Sequence, residues 1–471
     1  MFNYLFMLNN LQFNSIIKMT CQCRDDHLNN IMESNNLKAF GSAGEIGASC
    51  FMLTLNGQKI LLDCGIHPKK EGVESLPQVD FSQGKPNTGL ITHAHLDHLG
   101  ALPLLTPQIP FFTTKASKSI AKIMLKNSAN IQIKKYLDQP EENCIPLFSE
   151  KDARRAVRSL RTFSRSGTLQ LRGKVFVHAL PAGHILGARS FFIQTPSISV
   201  LYTGDISLTD QITVKAADYG NIQPDVLIIE STLGAEEDIA VQRNEQVMNF
   251  ADQINYLFSR RESVLCPTFA LGKTQEMLAI CDYLINSGKI KPVPIAINGM
   301  GAKITRIYRT YLKNRMPYYN PIEVSDLSYS TLNQLMESGP MIMLFTSGML
   351  IEDTPSARVA DQILPSTKHG IFFVGYLDPE TPGYKVLHNP MGSKIQLLKN
   401  KIPTEKLNPN IKSFRFTSHS DKTHLVNLVE SLNPSKVILI HGEKAALENV
   451  KNLISNQVET IIPKRGDQIS L

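Results

Sequence analysis

From Lys38 onward one pattern recurs: a short apolar run closes on a glycine or a polar residue. KILLDCG closes past Asp63, TGLITHAH on histidines, ISVLYTGD on Asp205, DVLIIES past Glu230 and KVILIHGE past His441. SVLCPTFALG, PMIMLFTSG, GIFFVGY and FRFTSH have the same form. Such runs, rich in Ile, Val and Leu, read as strands buried on both faces. Helical patterns lie between them, among them SKSIAKIMLKNSANIQIKKYL, RNEQVMNFADQINYLFSR and GKTQEMLAICDYLINSG. Alternating strands and helices make an α/β protein. In α/β sheets, sites are built just past the C-terminal ends of the strands. That places Asp63, the 93–98 segment, Asp205, Glu230, His419 and His441 along one edge.

At 471 residues the chain is long enough for two or three domains. A net charge of +7 suits a polyanionic partner without demanding one. The seven cysteines are scattered and odd in number, which argues for a reducing compartment, the cytoplasm, over a disulfide framework. Cys21 and Cys23 make an isolated CxC, short of the four ligands of a structural zinc site. No run of about 18 apolar residues is present, so no membrane span is expected. Residues 1–36 are Asn-rich and aperiodic, and read as a disordered extension within which Met19 or Met32 could be the true start. LGKT at 271–274 is not a P-loop, because Pro267 stands where the motif needs glycine. GSAGEIGAS at 41–49 precedes a strand and reads as a hairpin turn.

ITHAHLDHLG packs His93, His95, Asp97 and His98 onto one turn after a strand. Imidazole and carboxylate are ligands of borderline divalent metals. Four such groups so close in sequence cannot all serve one centre, which predicts two neighbouring metals about 3.5–4 Å apart. Further ligands are at hand in His184 of LPAGHILGA, where Gly183 and Gly187 permit close backbone approach, in Asp205 of YTGD, and in His419 of FTSHSD.

LLDCG, THAHLDHLGALP, PAGHILGA and YTGD resemble the successive motifs of the metallo-β-lactamase fold. CPTFALGKTQEML, TSGML, VGYLDPETPG, FTSHSD and ILIHGE resemble those of its β-CASP nuclease branch, which includes the cleavage-and-polyadenylation endonuclease and ribonuclease J. The resemblance implies a metallo-β-lactamase αββα sandwich over residues 37–233 and 384–471, with an inserted α/β β-CASP domain at 234–383. It implies His93, His95 and His184 on one Zn²⁺, Asp97, His98 and His419 on the other, and Asp205 bridging. Asp63 would hold a ligand imidazole in the right tautomer. Asp97, Glu230 and Tyr384 form the implied catalytic set. His441, Ser347 and Gly348 are candidates for contact with a substrate phosphate.

Relatives carry a histidine where this chain has Tyr384, paired there with the acidic residue; His388, four positions on, would share its helix face. The implied activity is hydrolysis of single-stranded RNA by a hydroxide that two zinc ions activate. Basic stretches such as residues 303–315 could meet its phosphates. The chain lacks a long C-terminal extension like that of ribonuclease J, which favours internal cleavage over 5′–3′ degradation. Monomer and homodimer are both open. Two rival readings are a non-catalytic RNA-binding β-CASP paralogue and a small-molecule hydrolase on the same fold.

Overall fold

The computed structural model describes residues 34–471 except 83, 106–107, 139, 141–144, 165, 236–242, 314–319 and 327. The expectations for residues 1–33, including the Cys21–Cys23 pair, and for 314–315 of the basic stretch lie outside the described residues. Asn36 opens the first strand. The chain divides into two units, one of Met1–Asp210, Ala216–Asp238 and Ser418–Leu471, the other of Gln211–Lys215 and Ile239–Thr417.

The first unit holds two seven-stranded sheets. One runs Gln468–Ser470, Asn36–Gly41, Cys50–Leu55, Gln58–Leu62, Thr88–Leu90, Phe111–Thr113, Arg161–Thr162. The other runs Glu459–Ile461, Lys436–Ile440, Val226–Glu230, Ser199–Tyr202, Arg189–Gln194, Val175–Pro181, Thr168–Leu171. They share one apolar core, to which Phe51, Leu62 and Leu90 come from the first sheet and Phe191, Val200, Ile228 and Ile438 from the second. Each such side chain removed from water contributes about 1.5–3 kcal/mol. Residues 42–49 link the antiparallel strands Asn36–Gly41 and Cys50–Leu55.

Two parallel pairings position the chemistry. Gln58–Leu62 pairs with Thr88–Leu90, with Leu62 opposite Leu90, so Asp63 emerges beside the segment that leads to His93. Val226–Glu230 pairs with Lys436–Ile440, with Glu230 opposite Ile440, so Glu230 and His441 emerge side by side. Parallel strands point their C-terminal ends the same way, which is why residues remote in sequence meet at one edge.

The second unit holds a six-stranded, all-parallel sheet in the order Ile322–Val324, Ile295–Asn298, Ile342–Phe345, Val264–Pro267, Gly370–Phe373, Ile411–Ser413. This compact unit extends to Thr417. The reason is packing: Val386 is buried in this unit's core, and Ile411 pairs with Ile371. The strand Ile411–Ser413 has a single apolar residue, so it carries no strand signal of its own. The LGKT segment opens the helix Lys273–Asn286. Lys273 donates its ammonium to the Phe416 carbonyl, and burial pushes it down to about 7.

Residues 211–215 are tied into this unit by Glu276. Its carboxylate accepts from Ile212 N at 2.9 Å, Thr213 N at 3.0 Å and Thr213 Oγ1 at 2.6 Å, and pairs with Arg243. Glu276 is 1% exposed, so its removal would strand several buried donors. Glu276→Ala is expected to cost about 3–5 kcal/mol, seen as an earlier midpoint in denaturant unfolding. Among the described residues no helix is long and apolar enough to cross a membrane.

Candidate metal centre

The turn that carries His93, His95, Asp97 and His98 is fixed by its backbone. Ser49 N donates to Asp97 O at 2.8 Å, Cys64 N to His98 O at 2.7 Å and Ile66 N to Leu96 O at 2.9 Å. Gly65 lies so close that a Cβ there would sit 1.7 Å from Asp97 O. His184 follows Gly183, whose φ of +73° and contact with the backbone of residues 207 and 216–217 exclude a side chain.

Three groups of donors result. His93, His95, His184 and Asp205 offer ligand atoms within 4.8 Å of one another, as do Asp97, His98 and His441, and as do Asp205, Glu230 and His419. The first two are the imidazole-rich ones. Asp205 faces both: its Oδ2 is 3.5 Å from His93 Nε2 and 3.6 Å from His184 Nε2, while its Oδ1 is 3.2 Å from His98 Nε2 and 3.3 Å from His441 Nδ1. His419 and His441 have places other than those expected. His419 sits with its Nδ1 3.0 Å from both oxygens of Glu230, and its ring against that of His184. His441, expected beside a phosphate, stands with its Nε2 3.3 Å from Asp97 Oδ2. The strand pairing that sets Glu230 opposite Ile440 delivers it there.

The groups behind these rings set their protons. Asp63 is fully buried and accepts from Thr92 N at 2.7 Å, Thr92 Oγ1 at 2.9 Å, Tyr202 Oη at 2.7 Å and His98 Nδ1 at 2.8 Å. A carboxylate only accepts, so His98 carries its proton on Nδ1 and turns a lone pair inward on Nε2. Thr92 spends its hydroxyl proton on Asp63, so it accepts from His93 Nδ1 at 3.0 Å, and His93 Nε2 is also a lone pair. His184 Nδ1 donates to the Ser418 carbonyl at 2.9 Å, which puts the lone pair on Nε2. Thr232 donates to Glu230 and so accepts from His441 Nδ1 at 3.1 Å.

The inward atoms then lack protons to share. His93 Nε2 and His184 Nε2 lie 3.0 and 3.1 Å from one atom, His95 Nδ1, which can offer one hydrogen to two lone pairs. His98 Nε2 and Asp205 Oδ1 are buried with no hydrogen-bond partner among the described residues. Orphaned buried donors and acceptors are costly. A divalent cation in each of the two imidazole-rich groups would satisfy them, and the imidazole–carboxylate set matches borderline metals. Electrostatics agree. Burial holds His93, His95 and His184 below the usual histidine range. Burial would also lower His98 and His441, but the carboxylates of Asp205 and Asp97 overcome it and raise both. A field that draws a proton to these rings also draws a metal, which displaces it. His419 is raised to about 9, because the adjacent Glu230 outweighs burial.

Glu230 is 1% exposed and also accepts from Ile206 N at 2.6 Å. Tyr384, Ser347 and Gly348 belong to the second unit. Tyr384 lies on the helix Pro382–His388, its ring 4.1 Å from that of His388 one turn along the same face. Ser347 Oγ accepts from Ile351 N at 3.0 Å. Sequence reasoning missed Thr92, Tyr202, Thr232 and Ser418. Thr92, Tyr202 and Ser418 lie inside flagged motifs and Thr232 directly follows one, and that neighbourhood is the signal they carried.

Three family models match in succession: the metallo-beta-lactamase superfamily over residues 43–224, the Beta-Casp domain over 274–386, and the Zn-dependent metallo-hydrolase RNA specificity domain over 404–463. The chain is 30% identical to the cleavage and polyadenylation specificity factor 73 of Drosophila melanogaster over 90% of its own length and 62% of that protein's. It is 28% identical to the endoribonuclease YSH1 of Kluyveromyces lactis over 91% of itself and 58% of that protein. It therefore spans about three fifths of these relatives. A crystal structure of a protein of unknown function from Enterococcus faecalis shares the fold, with a TM-score of 0.59, 15% identity, and coverage of 93% of this chain and 100% of that one. With its ligand turn, its second α/β unit and these successive matches, the chain belongs to the metallo-β-lactamase superfamily and carries an inserted β-CASP domain.

Proposed function

We propose that the chain is a zinc-dependent ribonuclease that hydrolyses phosphodiester bonds within single-stranded RNA. His93, His95, His184 and Asp205 would hold one Zn²⁺, and Asp97, His98, His441 and Asp205 the second. The observation that carries this reading is the convergence of inward lone pairs with too few protons between them. When bound, two zinc ions supply a more acidic water and neutralise charge on a phosphoryl group.

The remaining work falls to the chain's own residues. Asp63, Thr92 and Ser418 hold His98, His93 and His184 in the metal-binding tautomer. Glu230 holds His419 with its proton in place. His419 Nε2 then gives that proton to the departing oxygen, the step of a general acid. In this reading the acid–histidine pair expected of the family is Glu230 with His419, so Tyr384 leaves no gap in the proton-transfer set. The family's RNA-specificity match supports RNA as the polymer, and the name of the Kluyveromyces relative supports internal cleavage. The described cysteines are free, in keeping with a reducing, cytoplasmic setting.

Elemental analysis of the purified protein should find close to two zinc ions per chain. A circular RNA, which has no end to attack, should be linearised by the wild type and left intact by Asp97→Ala. A metal-free protein, or equal cutting by both, rejects the reading. A linear RNA degraded while the circle survives replaces internal cleavage with attack from an end.

A further inference from the structure

A cavity of about 300 Å³ lies within the first unit, where four stretches of chain converge. Its apolar wall is Ile66, Leu96, Ile131 and Leu147. Asp97 also lines it, the same carboxylate that faces His441 and His98. Anything bound here is therefore next to the proposed metal centre.

Charge narrows the occupant. The cations at the rim are already paired: Lys70 lies 3.0 Å from Glu45, and Lys135 is paired with Glu71. A free phosphate would find no unspent cation there and an apolar floor beneath, whereas an uncharged, flat group would lose nothing by entering. Among the polar side chains of the lining, which include His67, Ser75 and Ser128, Gln132 carries an amide. Gln132 Oε1 accepts from Leu147 N at 2.8 Å, and its Nε2 donates to Ser128 Oγ at 3.0 Å. An amide has two N–H donors and two acceptor lone pairs, so among the described residues this side chain has one of each left to read a heterocycle's edge. The volume is at the lower end of small-ligand pockets.

We propose that this cavity is a nucleobase subsite, which takes the base of a nucleotide flanking the cut phosphate and holds it between aliphatic walls with Gln132 at its polar edge. The proposal rests on the RNA reading above. It makes one base position of the substrate a determinant of specificity, read by the metallo-β-lactamase unit itself.

The test is equilibrium binding of the zinc-loaded full chain to a phosphorothioate-linked RNA hexamer, intact or abasic at each position in turn. The matching phosphodiester RNA is assayed for cleavage alongside. One abasic position should weaken binding about tenfold, the scale of one held base. Ile131 is half exposed on the helix Lys115–Asp138, so Ile131→Trp can fill the cavity without opening the core. With its zinc content unchanged, that variant should bind the intact hexamer and the one abasic at that position alike. Gln132→Glu keeps the acceptor for Leu147 N and removes a donor, so it should change which base is preferred there. The proposal is overturned if the wild type does not bind the hexamer, if no abasic position matters, or if Ile131→Trp retains the same dependence. Abasic-sensitive binding without cleavage of the diester upholds the subsite and rejects the nuclease reading instead.

Discussion

His441→Ala is expected to leave the protein with one zinc ion per chain, while His419→Ala keeps two and loses turnover alone. The two histidines look interchangeable in sequence, since each follows a strand-like run late in the chain. Their surroundings differ. His441 stands with Asp97 and His98, its Nδ1 proton taken by Thr232 and its Nε2 turned to Asp97 Oδ2. His419 has Nδ1 against both oxygens of Glu230, a carboxylate that also holds Ile206 N and Thr232. Loss of a general acid costs about 10²- to 10⁴-fold in rate, and His419→Ala should fall in that range with its metal intact. Zinc analysis beside initial cleavage rates separates the two roles. If His419→Ala sheds an ion and His441→Ala does not, the ligand set is the one expected from sequence, and the geometric assignment fails.

Asp63→Ala is expected to lower zinc affinity about 10- to 100-fold and to cost about 3–5 kcal/mol of stability. No atom of Asp63 reaches the inner face of either donor group. It accepts from Thr92 N, Thr92 Oγ1, Tyr202 Oη and His98 Nδ1 in a fully buried pocket. Without the carboxylate, His98 can take the other tautomer, with its proton pointing where a metal would sit. Thr92 loses the acceptor that orients it toward His93. Asp63→Asn keeps the shape but offers a donor to His98, so it should restore stability better than zinc affinity. The checks are competition with a chromogenic chelator for affinity and denaturant unfolding of the metal-free protein for stability. Equal zinc affinity in wild type and Asp63→Ala would show that the imidazole needs no such support.

The strand alternation, the ligand turn and the positions of His184 and Asp205 were readable because each is a local pattern: an apolar run, then a glycine or polar stop. The division of labour between His419 and His441 was not. It depends on which strand lies beside Val226–Glu230, and strand order is set by packing across the whole sheet. The strand Ile411–Ser413 was hidden for a related reason, since it is a strand by pairing more than by composition. Glu276, which holds residues 211–215 from a helix far along the chain, lay inside the quoted CPTFALGKTQEML motif, but nothing local marked its role. Its motif neighbourhood suggested a phosphate loop to be dismissed, and a buried carboxylate on a helix is silent until its partners arrive.

The parallel pairing of Val226–Glu230 with Lys436–Ile440 also governs timing. A polypeptide leaves the ribosome N-terminus first, and early segments fold before late ones exist. The first donor group needs nothing beyond Asp205, but His441 is added only after the entire second unit has been synthesised. A centre that draws on both imidazole-rich donor groups is therefore completed only after the second unit has been made.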